Sequence, residues 1–276
     1  MARSRPGPLP AVLMAFLIMA VVPEVFGAAA GTLSGTPGGG EAPGAPVREA
    51  RIVREYPHDR NAYTQGLLFR AGFIYESTGL HGRSTLREVT PESGTVRRVH
   101  RMPDDQFGEG LALCGERLIQ LTWRSGVIHV YDRKSFRLRG SFPYPREGWG
   151  LACDGKRLIA SDGTDRLHVL DPRTFRTLRS VAVTDAGRPV SRLNELEFVE
   201  GRILANVWGS DRIARIHPDS GRVEGWIDLA ALRQRLRGTT AETANGIAWD
   251  AARRRLLVTG KLWPLLFDVN IDGLDR

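Results

Sequence analysis

"GEGLALCGERLIQLTW" (108–123), with its continuation "VIHVYDRKSFRLRGSF" (127–142), decides the fold, because its plan returns along the chain. An apolar run, a tight polar turn and a second apolar run lead into a third run, another turn and a fourth. The first half recurs as "TQGLLFRAGFIYESTG" (64–79), "GWGLACDGKRLIASDG" (148–163), "LNELEFVEGRILANVW" (193–208) and "ANGIAWDAARRRLLVTGK" (244–261). The second half recurs as "STLREVTPESGTVRRVH" (84–100), "RLHVLDPRTFRTLRSV" (166–181) and "RIARIHPDSGRVEGWI" (212–227). "DPRTF" and "HPDSGR" put Pro and Gly where a hairpin needs fixed or positive φ. Helical periodicity is confined to "LAALRQRLRG" (229–238). Four antiparallel strands returning every 40 to 51 residues predict an all-β, five-bladed β-propeller. The last unit is short of strands. The spare segment "ARIVREYP" (50–57) stands ready to join it and close the ring.

Five residues head the units at equivalent positions: Gln65, Glu109, Trp149, Asn194 and Asn245. In a propeller such heads approach one another near the axis. The ends of the second strands return to the same rim and bring Trp123, Asp162, Trp208 and Lys261. Glu109 precedes Trp123 by fourteen residues, and Asn194 precedes Trp208 by the same interval. Singly, each has a structural reading: tryptophan packs between blades, and a Gly-flanked glutamate suits a tight turn. Repeats kept for structure alone would repeat their residues, however, and these differ from unit to unit. As a convergent set they predict a pocket.

Outside the repeats, Arg3 and Arg5 precede the apolar run "AVLMAFLIMAVV", and "FGAAAG" follows. This order matches a secretory signal peptide over residues 1–30, better than an uncleaved anchor, since Pro23 and Glu24 interrupt the run. "GTLSGTPGGGEAPGAPV" reads as a Gly/Pro-rich tether, assigned to 31–46, which leaves 47–276 as the propeller. The mature protein is expected to be exported, periplasmic or extracellular, free of the membrane and monomeric. A net charge of +8 invites a nucleic-acid partner, but the basicity is scattered arginine with three lysines and no recognition motif. No nucleic acid is expected. Cys114 and Cys153 permit one disulfide, and their spacing leaves the pairing open.

The segments "YTQGLLF", "YESTGLHGRSTLR", "FGEGLA", "QLTW", "EGWGLACDG", "SDGT", "LNELEF", "ANVWGSD", "NGIAWD" and "TGKLWP" closely resemble the plant and bacterial glutaminyl-peptide cyclotransferases, in order, from Arg51 to the C-terminus. The resemblance implies a five-bladed propeller that converts N-terminal glutamine of peptides or proteins to pyroglutamate and releases ammonia. It implies no cofactor and no catalytic metal. The family's active-site glutamate falls on Glu109, its tryptophans on Trp123, Trp149 and Trp208, and its remaining motif residues on Gln65, Asn194 and Lys261. Cyclisation needs a proton moved from the attacking α-amine to the departing nitrogen, a role suited to Glu109. Gln65, Asn194 and Lys261 are candidates to stabilise the tetrahedral oxyanion. Trp123, Trp149 and Trp208, with Asn245 and Asp162, would hold the substrate, and indole beside Glu109 should raise its pKa.

Two other classes use a similar frame. A non-enzymatic propeller could bind a peptide or glycan at the same mouth. A calcium-dependent lactonase would gather carboxylates and asparagines at the axis, and the tryptophans and Lys261 disfavour it.

Overall fold

The computed structural model describes residues 43–272. The expected signal peptide (1–30) and most of the expected tether (31–46) lie outside the described residues. The tether's last residues are already attached: Ala45 N–H donates to Asp185 Oδ1 (2.7 Å), and Pro46 O accepts from Trp226 N–H (2.8 Å).

Alternation becomes strands nearly throughout. After β1 (Val47–Pro57), the first unit is β2 (Thr64–Arg70), β3 (Phe73–Thr78), β4 (Thr85–Thr90) and β5 (Thr95–Arg101). The second is β6 (Gly108–Cys114), β7 (Arg117–Thr122), β8 (Val127–Asp132) and β9 (Leu138–Pro143). The third is β10 (Leu151–Cys153), β11 (Leu158–Ser161), β12 (Arg166–Leu170) and β13 (Thr177–Ala182). A small hairpin, β14 (Thr184–Asp185) and β15 (Arg188–Pro189), then intervenes; no sequence pattern announced it. The fourth unit is β16 (Leu193–Val199), β17 (Arg202–Val207), β18 (Arg212–Ile216) and β19 (Val223–Asp228), followed by the helix α1 (Ala230–Arg235). β20 (Ala244–Asp250), β21 (Arg255–Gly260) and β22 (Leu265–Ile271) end the described chain.

Consecutive strands within each unit pair antiparallel. β1 serves two neighbours. Ala50–Pro57 pairs antiparallel with β22, and Val47–Glu49 pairs parallel with β19, so the last two units form one eight-stranded sheet. The first strands touch in sequence: β2 with β6, β6 with β10, β10 with β16, β16 with β20, and β20 with β2. The architecture is all-β and propeller-like.

Packing between units supplies the core. Each hydrophobic cluster joins two neighbouring units, as where Leu68, Tyr75 and Leu86 of the first meet Leu111, Leu118 and Tyr131 of the second. Another joins Ile213 and Ile227 of the fourth to Ile247 and Phe267 of the last, with Leu232 of α1 added. The turns "DRKSF" and "DPRTF" show how local chemistry feeds this packing. Asp132 and Asp171 accept turn N–H groups with their side chains, and Phe136 and Phe175 take left-handed φ (61° and 59°). That conformation costs a non-glycine residue about 1–2 kcal/mol. Burial of the two rings between units offsets it.

The axis is tight. A Cβ on Gly66 would stand 2.5 Å from Leu111 N, one on Gly110 2.5 Å from Leu151 N, and one on Gly150 1.9 Å from Asn194 O. A glycine after the head residue is therefore required where one first strand abuts the next. The fourth unit has Glu195 instead, fully buried. Its carboxyl reaches across to accept Leu67 N–H (3.2 Å) and Ile247 N–H (2.9 Å) from two other units.

Cys114 and Cys153, left open by sequence, form a disulfide between β6 and β10, with Cα atoms 5.7 Å apart. Replacing both by serine is expected to cost about 2–4 kcal/mol, read as a lower urea midpoint with a somewhat steeper slope as the unfolded chain expands. An unchanged midpoint would assign the bridge no stabilising role.

Candidate active site

Backbone irregularity aims the head residues. The register of β2 shifts between Thr64 and Gly66, that of β6 between Gly108 and Leu111, and that of β16 between Leu193 and Leu196. Each bulge falls at a head: Gln65, Glu109 and Asn194. Bulges leave a residue outside the ladder and re-aim its side chain. Trp149 precedes β10, while Trp123, Trp208 and Lys261 follow β7, β17 and β21.

These residues converge on a cavity of about 360 Å³ lined by Tyr63, Gln65, Phe107, Glu109, Trp123, Trp149, Asn194, Trp208 and Lys261. Its walls are aromatic. Tyr63 and Phe107 meet edge-on at 6.1 Å, Phe107 and Trp123 at 5.7 Å, and Trp149 and Trp208 at 6.4 Å. That size and lining suit one small side chain with a few polar anchors.

Glu109 is buried, and burial pushes its carboxyl well above the usual range; Glu147 adds to the rise and Lys261 opposes it. Lys261 is equally enclosed, its Nζ 4.8 Å from the Tyr63 ring centroid, and burial pulls its ammonium down against the attraction of Glu109 and Glu242. Burial and the neighbouring Glu242 push the Tyr63 hydroxyl up to about 12. Two groups of opposite ordinary charge are thus both driven toward neutrality at one cavity.

Gln65 is committed on both sides. Its Nε2 donates to Glu109 Oε1 (2.9 Å), and its Oε1 accepts from Asn245 Nδ2 (2.7 Å). Asn245 in turn accepts from Glu195 N–H (3.4 Å), so an amide relay runs from the axis to Glu109. Asn194 is different. Its backbone O accepts from Ser161 Oγ (2.7 Å), while its buried side-chain Oδ1 has no protein partner.

Two expected substrate-binding residues sit elsewhere. Asn245 is fully buried behind Gln65 and does not line the cavity. The Asp162 carboxylate is also absent from the lining, because its oxygens are taken by His168 Nε2 (2.8 Å) and by Thr164 Oγ1 (2.6 Å). Among the described residues, no three His, Cys, Asp or Glu side chains cluster as a metal site would require.

Tyr63, Phe107 and Glu147 were not singled out from sequence. Each lies two residues before a unit head, a position that carries Arg192 in the fourth unit. Comparing that position across the repeats would have found them.

The glutamine cyclotransferase family matches residues 25–271. A glutaminyl-peptide cyclotransferase of Arabidopsis thaliana is 44% identical over 232 residues, 82% of this chain and 72% of the relative. The crystal structure of Myxococcus xanthus glutaminyl cyclase superposes with a TM-score of 0.78 at 40% identity, covering 83% of this chain and 98% of the other.

Proposed function

The chain belongs to the glutamine cyclotransferase family and is a glutaminyl-peptide cyclotransferase, and from that premise we propose that Glu109 moves the proton when N-terminal glutamine cyclises in the tryptophan-lined cavity. One observation carries the reading: a buried carboxyl opens on an aromatic cavity sized for a glutaminyl side chain. The reaction frame is a five-bladed propeller closed by β1. The enzyme acts after export, once the segment 1–30 has been removed as a signal and 31–46 remains as a tether.

The α-amine nitrogen attacks the γ-carboxamide carbon, and the carbonyl electrons move onto oxygen. Glu109 takes the proton shed by the attacking nitrogen. The carbon–nitrogen bond of the carboxamide then breaks, Glu109 returns the proton to the leaving nitrogen, and ammonia departs. A carboxyl whose pKa lies near the working range both accepts and donates. Burial of Glu109 supports that property.

Lys261 faces the developing oxyanion. The unpartnered Oδ1 of Asn194 supports a role in accepting an N–H from the substrate amine, in place of the oxyanion role expected from sequence. Gln65, with both ends of its amide engaged, acts by fixing the Glu109 carboxyl. The aromatic walls exclude water and hold the side chain folded for attack, largely an orientation effect.

The substrate test is mass spectrometry with ammonia release on a short peptide beginning with glutamine, beside the same peptide N-acetylated. Loss of one ammonia from the free peptide only is expected. No rate above the spontaneous background from folded protein would contradict the reading. The relay has its own test. Asn245→Ala is expected to lower kcat by about 10-fold or more, since a displaced Glu109 mispositions the proton transfer. Unaltered kcat would remove Asn245 from the machinery.

A further inference from the structure

Glu147 lies outside the cavity lining yet touches two of its walls. Its Oε2 accepts from Trp123 Nε1 (2.9 Å) and from Trp149 Nε1 (3.2 Å). Its Oε1 accepts from Arg124 Nε (2.8 Å), whose guanidinium carbon stands 4.0 Å from the centroid of the Trp123 ring. One carboxylate therefore ties tryptophans from successive units, and an arginine backs one of them. An indole N–H is donor-only, so two such donors aimed at one oxygen require an acceptor there. Trp149 extends the wall to Trp208, and Trp123 extends it to Phe107.

We propose that Glu147 is the positioning residue that sets Trp123 and Trp149 as walls of the cavity. This rests on the reading of Glu109 given above. The indoles need only an oxygen acceptor, and the indole and arginine hydrogen bonds hold Glu147 below the ordinary carboxylate range despite partial burial.

Substitution tests this role. Glu147→Ala removes acceptor and charge. Glu147→Gln keeps an oxygen for the indoles, loses the charge and releases Arg124. Kinetics on a peptide beginning with glutamine and near-ultraviolet circular dichroism of the tryptophans would be recorded for both. Glu147→Ala is expected to lower kcat/KM by about 10²-fold and to weaken the tryptophan bands, because misplaced walls forfeit orientation. Glu147→Gln is expected to restore the bands and most of kcat/KM, because it keeps an oxygen for the two indole donors.

Folded Glu147→Ala with wild-type kcat/KM and tryptophan bands would overturn the positioning role. If Glu147→Gln fails to restore Glu147→Ala although both are folded, the indole acceptor is not what matters and the proposal falls. None of these results bears on Glu109 itself: the reading beneath the proposal fails separately, if Glu109→Gln turns over normally.

Discussion

Glu109→Gln is expected to fold normally and to lose about 10²–10⁴-fold in kcat, the range for removing a positioned proton-transfer group. Glutamine preserves the shape and retains an oxygen for the Gln65 Nε2 donor that now reaches Glu109 Oε1 at 2.9 Å. It removes the carboxyl proposed to carry a proton between the two nitrogens. Stability should move the other way. The folded-state pKa of Glu109 is raised by burial, so this carboxyl's favourable contribution is fully present below its unfolded pKa and is lost as pH rises through the folded one. Glu109→Gln abolishes that loss, and its thermal midpoint should exceed the wild-type value increasingly toward alkaline pH. Ammonia release and melts across pH read both effects. Near-normal turnover in the folded variant would take Glu109 out of the reaction.

Lys261→Met is expected to lower kcat by about 10²–10³-fold, as loss of a preorganised oxyanion donor does. Methionine fills similar space, and the site is enclosed enough that water cannot readily replace the ammonium; Lys261 is only 5% exposed. The pH profile gives a sharper signature. Lys261 holds the Glu109 pKa down against burial, so its removal should move the acidic limb to higher pH. A large loss in kcat without that shift would leave the oxyanion role standing and deny the coupling to Glu109. A change confined to KM would make Lys261 a substrate contact only.

The repeats carried the units because a hairpin's alternation and turn residues are local. "DPRTF" declares its turn through Pro172, and Asp171 and Phe175 complete it locally. The spare segment 50–57 was legible as a strand, and its pairing with β22 followed from a missing strand in the last unit. Its extension to Val47, paired parallel with β19, was not legible, because that depends on the neighbouring unit's edge. The short hairpin at 184–189 lacked enough residues for any period to show.

The site divides in the same way. Repeat equivalence identified Gln65, Glu109, Trp149 and Asn194 as neighbours, and the second-strand ends brought Trp123, Trp208 and Lys261 to the same cavity. Equivalence does not say which way a side chain points. Asn245 heads its unit as Gln65 does, yet it lies behind Gln65 and binds its amide. Asp162 follows its strand as Trp123 follows its own, yet His168 and Thr164 engage it. Glu147 stands two residues before a head, a position the repeats mark, but its contact with the indole nitrogens of two units was not legible in the sequence.

The most direct measurement is the ionisation of Glu109, read as an infrared difference spectrum of wild type minus Glu109→Gln across pH. The predicted result is a protonated-carboxyl band, absent from the variant, that persists well above the ordinary glutamate range and titrates with the acidic limb of activity. A Glu109 already ionised in the ordinary range, or one titrating independently of turnover, would contradict its role as proton carrier.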